Sequence, residues 1–219
     1  MKRGVIVVAG GRGLRMGGDL PKQFIPVHGK PVLMHTLEVF HRWDGRAVLV
    51  VVLPEAHRAY WEMLCRELNC RIPHDVATGG ETRFHSVSGA LPLVSTCDVT
   101  GVHDGVRPFV TPEVIEACFT AAMQYGAAIP VVPLAESIRM CDETGSHAVD
   151  RAGYCVVQTP QVFRTDWLLE AYRQPYTPSF TDDASVVEAS GRSISLVSGN
   201  RENIKITAPA DLVVAASRL

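Results

Sequence analysis

The residues of this 219-residue chain that could do chemistry gather first around a glycine-rich stretch near its start. Ala9-Gly10-Gly11-Arg12-Gly13-Leu14-Arg15-Met16-Gly17 follows an apolar run and leads to Leu20-Pro21-Lys22-Gln23. A glycine turn after a strand leaves bare backbone N–H groups at the strand's end, a cradle for an anion. Arg12, Arg15 and Lys22 place three cations in and beside that turn, which suits a triphosphate better than a nicotinamide cofactor. Two other phosphate loops do not fit. No Lys-Ser/Thr follows the glycines, as a Walker loop requires, and Met16 stands where a dinucleotide fingerprint needs its third glycine.

Further candidates lie downstream. Gly79-Gly80-Glu81-Thr82-Arg83-Phe84-His85-Ser86-Val87 places small residues before a helix start, where N–H donors can read a base edge. A plain turn before a helix explains the same residues. Asp104, in His103-Asp104-Gly105-Val106-Arg107-Pro108, follows an apolar strand. There a carboxylate can ligate a phosphate-bound Mg²⁺, or simply pair with Arg107. Arg151 stands in Val149-Asp150-Arg151 and by composition alone reads as a solvated hairpin charge. In Thr181-Asp182-Asp183-Ala184-Ser185, Thr181 reads as a helix N-cap and the acids as first-turn residues favoured by the dipole. Lys205 lies in Gly199-Asn200-Arg201-Glu202-Asn203-Ile204-Lys205-Ile206-Thr207, where a short strand can return it to the site.

Something must hold these residues. Apolar, β-branched runs at 5–9, 47–53, 99–103 and 127–132 read as strands. Helical spacing separates them at 31–41, 56–68, 83–93 and 112–125, the last with Thr111 as N-cap. Strands apolar on both faces, alternating with helices, predict a doubly wound, mostly parallel α/β sheet with its ligand outside the carboxyl ends of the strands. Residues 134–157 break the rhythm. Two partly polar pieces at 137–141 and 148–151 flank Asp142-Glu143-Thr144-Gly145-Ser146 and read as a hairpin arm. Such an arm has no core of its own, so it should pack on something else, such as a second subunit. Helices near 165–173 and 182–190, a strand at 193–197, a short run at 204–207 and a helix from about Pro209 complete a single domain spanning 1–219.

Composition sets limits. The formal charge is −2, from 21 Lys+Arg and 23 Asp+Glu, which argues against wrapping nucleic acid. Apolar runs stay at strand length, so neither a membrane span nor a signal peptide is expected. The six cysteines form no C-x-x-C pair or zinc-ligand spacing and read as free, mostly buried thiols of a reducing cytoplasm. His35, on an apolar helix face, reads as a packed core histidine.

Gly10-Gly11-x-Gly13-x-Arg15-Met16-Gly17 with Pro21-Lys22-Gln23 resembles the signature loop of nucleotidyltransferases that activate phosphorylated sugars or polyols. Together with the motifs at 79–87, 103–108, 149–151, 158–163, 181–185 and 199–207, it is most similar to the 2-C-methyl-D-erythritol 4-phosphate cytidylyltransferase family. That resemblance implies a Rossmann-like nucleotidyltransferase that joins CTP and a polyol phosphate in non-mevalonate isoprenoid synthesis. It implies nucleotide contacts from Ala9, Gly10, Gly11, Gly13, Gly80, Ser86 and Asp104, with Asp104 holding Mg²⁺ or another divalent cation. Arg15, Lys22 and Lys205 would be the catalytic cations. Arg107, Arg151, Thr159 and Thr181 would meet the polyol phosphate, Arg151 from an arm reaching into the partner of a homodimer. Ribitol 5-phosphate as acceptor, or a non-catalytic nucleotide-binding protein of the same fold, are the alternatives. Gly105 stands where the family has alanine.

Overall fold

The computed structural model describes residues 1–11 and 20–219. Its elements follow in chain order. β1 (Arg3–Val8) leads through a 3₁₀ turn (Lys22–Phe24) to a small hairpin of β2 (Pro26–Val27) and β3 (Lys30–Pro31). His28 and Gly29 turn that hairpin with φ of 48° and 79°, the paired left-handed conformation of a tight two-residue turn. Then come α1 (Val32–Trp43), β4 (Val48–Leu53), α2 (Glu55–Glu67), β5 (Asp75–Thr78), α3 (Arg83–Val94), β6 (Val99–Asp104), α4 (Pro112–Tyr125) and β7 (Ala127–Pro133). The arm strands β8 (Ile138–Asp142) and β9 (Gly145–Val149) follow, then β10 (Cys155–Val157), β11 (Gln161–Arg164), α5 (Thr165–Ala171), α6 (Asp183–Ala189), β12 (Ser195–Ser198) and α7 (Pro209–Arg218).

β1 is the central strand. It pairs in parallel with β4 and β6, and β5 continues in parallel beyond β4. On the other side β11 runs antiparallel between β6 and β7, β10 antiparallel to β7, and β12 parallel to β7. The mostly parallel sheet is as the sequence predicts, with β5, β10 and β11 added. Those three are only three or four residues long, too short to show as apolar runs.

The period of two divides the β4 side chains between the sheet's faces. Leu49, Val51 and Leu53 join Val5 and Val7 under α1, α2 and α4, around the fully buried Trp61, Phe40 and Phe119. Val50 and Val52 join Ile6 on the opposite face, against α3, α5 and α6. Both faces are covered, so the two layers of helix fix where the strand ends point.

Local signals explain the helix ends, with two corrections. Thr111 caps α4 as expected, accepting from Val114 N, and Thr82 does the same for α3. The cap of α6 is Asp182, not Thr181: its carboxylate accepts from Ser185 N at 2.9 Å, while Ser185 Oγ receives Asp182 N at 3.2 Å. That reciprocal pair satisfies two orphan donors at once, so it outcompetes the threonine one residue earlier. The 204–207 run is no strand. Ile206 N donates to Val106 O at 2.9 Å, and that tether holds Lys205 without a ladder.

β8 and β9 form a separate, mostly exposed two-stranded sheet. Asp142 Oδ1 closes its turn by accepting from Thr144 N at 2.8 Å. Arg151 lies just beyond β9, in a 3₁₀ turn (Arg151–Gly153) capped by Asp150. All six cysteines are free, yet only Cys97 and Cys118 are buried; Cys65 and Cys70 are half-buried, Cys141 and Cys155 exposed. His35 is buried, with Nε2 bonded to Val27 O at 2.8 Å. Among the described residues no helix is long and apolar enough to cross a membrane.

Candidate active site

A cavity of about 300 Å³ opens at the carboxyl ends of the parallel strands. Ala9, Gly10 and Gly11 line it from the end of β1, Pro54 from β4, Gly79 and Gly80 from β5 and Asp104 from β6. Ladder-like bonds run past the strand ends: Ala9 N to Val52 O, Gly79 N to Leu53 O and Gly105 N to Val8 O. The walls of the cavity are therefore extensions of the sheet itself. Lys22 and Lys205 also face into it.

Asp104 is the electrostatic centre. It is 8% exposed, and three cations converge on its carboxylate. Lys205 Nζ stands 3.1 Å and Arg107 Nε 3.0 Å from Oδ2, and Arg83 Nη2 lies 3.9 Å from Oδ1. Burial alone would push this carboxyl up, but Arg83, Lys205 and Arg107 hold it well below the usual carboxylate range. The three cations are not held alike. Arg107 is pinned by a second bond to Asn203 O at 2.8 Å, whereas Lys205 is 44% exposed and can reach an incoming anion.

Behind Asp104 lies a buried chain of hydrogen bonds. Asp104 N donates to Thr159 Oγ1 at 3.1 Å, and that hydroxyl meets His103 Nδ1 at 3.0 Å. His103 Nε2 lies 3.0 Å from Arg107 O, an obligate acceptor, so Nε2 carries the proton and Nδ1 receives the threonine's. The neutral ring is required for this arrangement, and burial lowers His103 to about 4. An unfolded histidine titrates near 6.5, so between those values the unfolded state binds more protons. This stabilisation is complete above pH 6.5 and is lost as the pH falls towards 4, by about 3 kcal/mol. Urea unfolding of wild type and His103→Gln at about pH 7 and about pH 4.5 checks this. The variant should lose less stability on acidification, and equal losses in both would remove His103 from the account.

The Gly79–Ser86 turn is braced from within. Ser86 Oγ accepts from Gly80 N at 3.0 Å and donates to Thr82 O at 2.8 Å. A Cβ at Gly80 would stand 2.5 Å from His85 Cβ, so only glycine fits. The first turn of α3 thus presents its N-terminal end to the cavity. At Gly105, where the resembled family has alanine, a Cβ would lie 3.0 Å from both Ala9 Cβ and Leu33 Cδ1. The methyl is absent where Ala9 and Leu33 close the space.

The sequence reading missed the pairing of two residues. Arg83 lines the cavity, and its Nη2 lies 2.7 Å from Oδ2 of the fully buried Asp183, 100 residues away. Tyr172 OH donates to Asp183 Oδ1 at 2.6 Å. Burial pushes the Asp183 carboxyl up against the pull of Arg83 and Tyr172; burial likewise opposes the Arg83 charge, which Asp183 and Asp104 more than restore. This pair ties α3 to α6. Arg83 stood in a quoted motif as a helix start and Asp183 as a first-turn acid, and both local explanations were sufficient without the contact.

Of the expected site residues, Ala9, Gly10, Gly11, Lys22, Gly80, Ser86, Asp104 and Lys205 line one cavity. Arg107 and Thr159 lie behind it, their side-chain polar atoms engaged by Asp104, Asn203 and His103. Thr181 is exposed just before α6, and Arg151 is exposed with Nη1 on Ala135 O at the base of the arm. Gly13 and Arg15, with Arg12, lie outside the described residues.

Among the described residues lining the cavity, Lys22, Arg83 and Lys205 stand against Glu81 and Asp104. Among the described residues no cluster of three metal-ligating side chains exists. One carboxylate with substrate phosphates is nonetheless a usual donor set for Mg²⁺, and among the described residues Asp104 Oδ1 has only the 3.9 Å approach of Arg83. The residues fit a cation that arrives with the nucleotide.

A mostly parallel sheet with a glycine-lined, lysine-flanked cavity at its carboxyl edge defines an α/β nucleotidyltransferase. Residues 4–219 match the model of the family described as 2-C-methyl-D-erythritol 4-phosphate cytidylyltransferase, and the chain belongs to that family. A relative of that name from Bacteroides thetaiotaomicron is 56% identical over 219 residues, the whole of both chains. Another, from Geobacillus kaustophilus, is 36% identical over 98% of this chain and 95% of its own. The crystal structure of the Thermus thermophilus protein of the same name superposes with a TM-score of 0.79 at 30% identity, covering 99% of this chain and 98% of that one.

Proposed function

We propose that the chain is a cytidylyltransferase that moves the cytidylyl group of CTP to 2-C-methyl-D-erythritol 4-phosphate in isoprenoid biosynthesis. The observation that carries this is the convergence of Lys22, Asp104, Lys205 and the Gly80–Ser86 turn on one cavity, in a chain of this family. A phosphate oxygen of the acceptor attacks the α-phosphorus of CTP, and the bond to pyrophosphate breaks. The acceptor is already ionised, so no protein nucleophile or general base is required. Catalysis is positioning and charge neutralisation. The turn before α3 orients the cytosine, with Ser86 fixing Gly80. Lys22, Lys205 and, from outside the described residues, Arg15 neutralise the α-phosphate and its bridging oxygen. Asp104 would hold a divalent cation, which would offset charge on the triphosphate and favour departure of pyrophosphate.

The decisive measurement is pyrophosphate release from CTP, with methylerythritol phosphate and ribitol 5-phosphate tested side by side. Release with the first alone is expected. Release only with the second reassigns the acceptor, and release with neither overturns the proposal.

The acceptor's phosphate is assigned to Arg151 and Thr181, and Arg151 acts across a homodimer. Supporting this, Met140 on the arm and Tyr154 and Val156 beside its base are about half exposed, an apolar surface suited to a second copy. Arg151→Ala should raise KM for the polyol phosphate about tenfold or more, the effect of one charged hydrogen bond, and leave KM for CTP nearly unchanged. Mixing it with an inactive Lys22→Ala chain should restore turnover in hybrid dimers. Equal effects on both KM values, or no recovery on mixing, would count against a role in trans.

A further inference from the structure

Far from the nucleotide cavity, α2 ends in a hydrogen-bonding pattern with an unusual pair of side chains. Asn69 takes a left-handed conformation, φ 50°, while its N–H reaches Arg66 O at 3.1 Å and Cys70 N reaches Cys65 O at 2.8 Å. These are the two bonds of a Schellman motif, which brings together the side chains at the positions of Cys65 and Cys70. That contact is ordinarily apolar. Here it joins two half-buried thiols.

The surroundings favour an anionic small molecule over a metal. Cys70 borders a concavity of about 440 Å³ that Lys30, Arg42 and Arg71 share with Glu38 as the single carboxylate. His74, four residues on, has no free ring nitrogen: Nε2 accepts from Trp61 Nε1 at 3.0 Å and Nδ1 donates to Ile72 O at 2.8 Å. Without it the pair has no third ligand, and none is found among the described residues.

We propose that Cys65 and Cys70 form a thiol–disulfide exchange centre that accepts low-molecular-weight disulfides carrying negative charge. Cys70 is the attacking sulfur. The adjacent Cys65 thiol lowers it to about 6, with help from the backbone at Ile72, against burial and Glu38. Cys70 and burial push Cys65 up, so that thiol keeps its proton. The Cys70 thiolate bonds to one sulfur of the incoming disulfide, whose S–S bond breaks to release one thiolate. Cys65 then attacks Cys70 Sγ, passing its proton to the departing second thiol. Two protein thiols become one disulfide, and the small disulfide is reduced by the same two electrons to two thiols.

The test incubates the full chain with glutathione disulfide, followed by non-reducing peptide mapping. A Cys65–Cys70 disulfide is expected. Cys65→Ser should stop at a mixed disulfide on Cys70, and Cys70→Ser should leave residue 65 unmodified. From pH 8 to pH 7 the alkylation rate of Cys70 should fall less than about twofold, whereas an ordinary thiol falls about eightfold. The exposed Cys141 and Cys155 report that the reagent is active. Adducts there with Cys65 and Cys70 still reduced would overturn the proposal, as would an eightfold fall at Cys70.

Discussion

Lys22→Ala is expected to lower kcat for CTP turnover by about 10²–10³ and to leave the fold intact. The two halves of this expectation rest on different residues. Lys22 is delivered by a 3₁₀ turn whose anchors are its neighbours. Gln23 Nε2 donates to Ala9 O at 2.7 Å, and Phe24, 2% exposed, stacks on Trp61 with ring centroids 6.3 Å apart. Both anchors survive the substitution. The lysine side chain itself runs along Gly11, where a Cβ would come within 3.5 Å of its Cε, and reaches the cavity. Truncating it leaves both anchors and the core packing in place, so the variant should stay folded. The charge it supplies matters most when negative charge crowds the α-phosphorus, so the loss falls on kcat more than on KM for CTP. A folded Lys22→Ala protein with nearly wild-type kcat would sink this role.

The glycines that end β1, Lys22, the aspartate and the distant lysine meet at one cavity, and each announces itself locally. Glycines next to cations after a strand, a carboxylate at a strand end and an isolated lysine near the C-terminus need only the strand order to meet. The alternation of long apolar runs and helices supplied that order for β1, β4, β6 and β7. What stayed hidden was set by tertiary contacts alone. β10 and β11 are antiparallel strands of three and four residues, fixed by pairing with β7 and β6 and not by their own composition. Thr159 is a motif residue whose hydroxyl turned out to face inward, to His103 and the backbone of Asp104. Arg107 carries a charge that a linear reading offers to substrate, and the fold engages it on Asp104 and Asn203. Asp183 is the sharpest case. Asp182 already caps α6, so its neighbour had no local task, and a spare first-turn acid is ordinarily solvated. Only its complete burial shows that a cation must come to it from elsewhere in the chain.

Arg83→Met follows from that burial and should destabilise the protein by about 3 kcal/mol at neutral pH. Removing one partner of a buried ion pair costs about 3–5 kcal/mol, chiefly through the charge left behind. The lower end applies because the Arg83 side chain keeps 28% of its exposure while Asp183 keeps 1%. For a chain of this length that is a fall in Tm of about 6–12 °C. The sign of its pH dependence identifies the cause. With the guanidinium gone, burial acts on Asp183 against Tyr172 OH alone, so its carboxyl rises further above the unfolded value. A carboxyl raised in the folded state is penalised where it must be ionised, and the penalty is relieved as pH falls below its folded value. The deficit of Arg83→Met relative to wild type should therefore shrink on acidification. Adding Asp183→Asn should recover most of the loss at neutral pH, because the amide needs no counter-charge and can still accept from Tyr172 OH. Unfolding midpoints of the two single variants and the double variant give the coupling energy directly. Additive losses, or a deficit that does not change with pH, would mean that Arg83 supports the fold through packing and not by balancing Asp183.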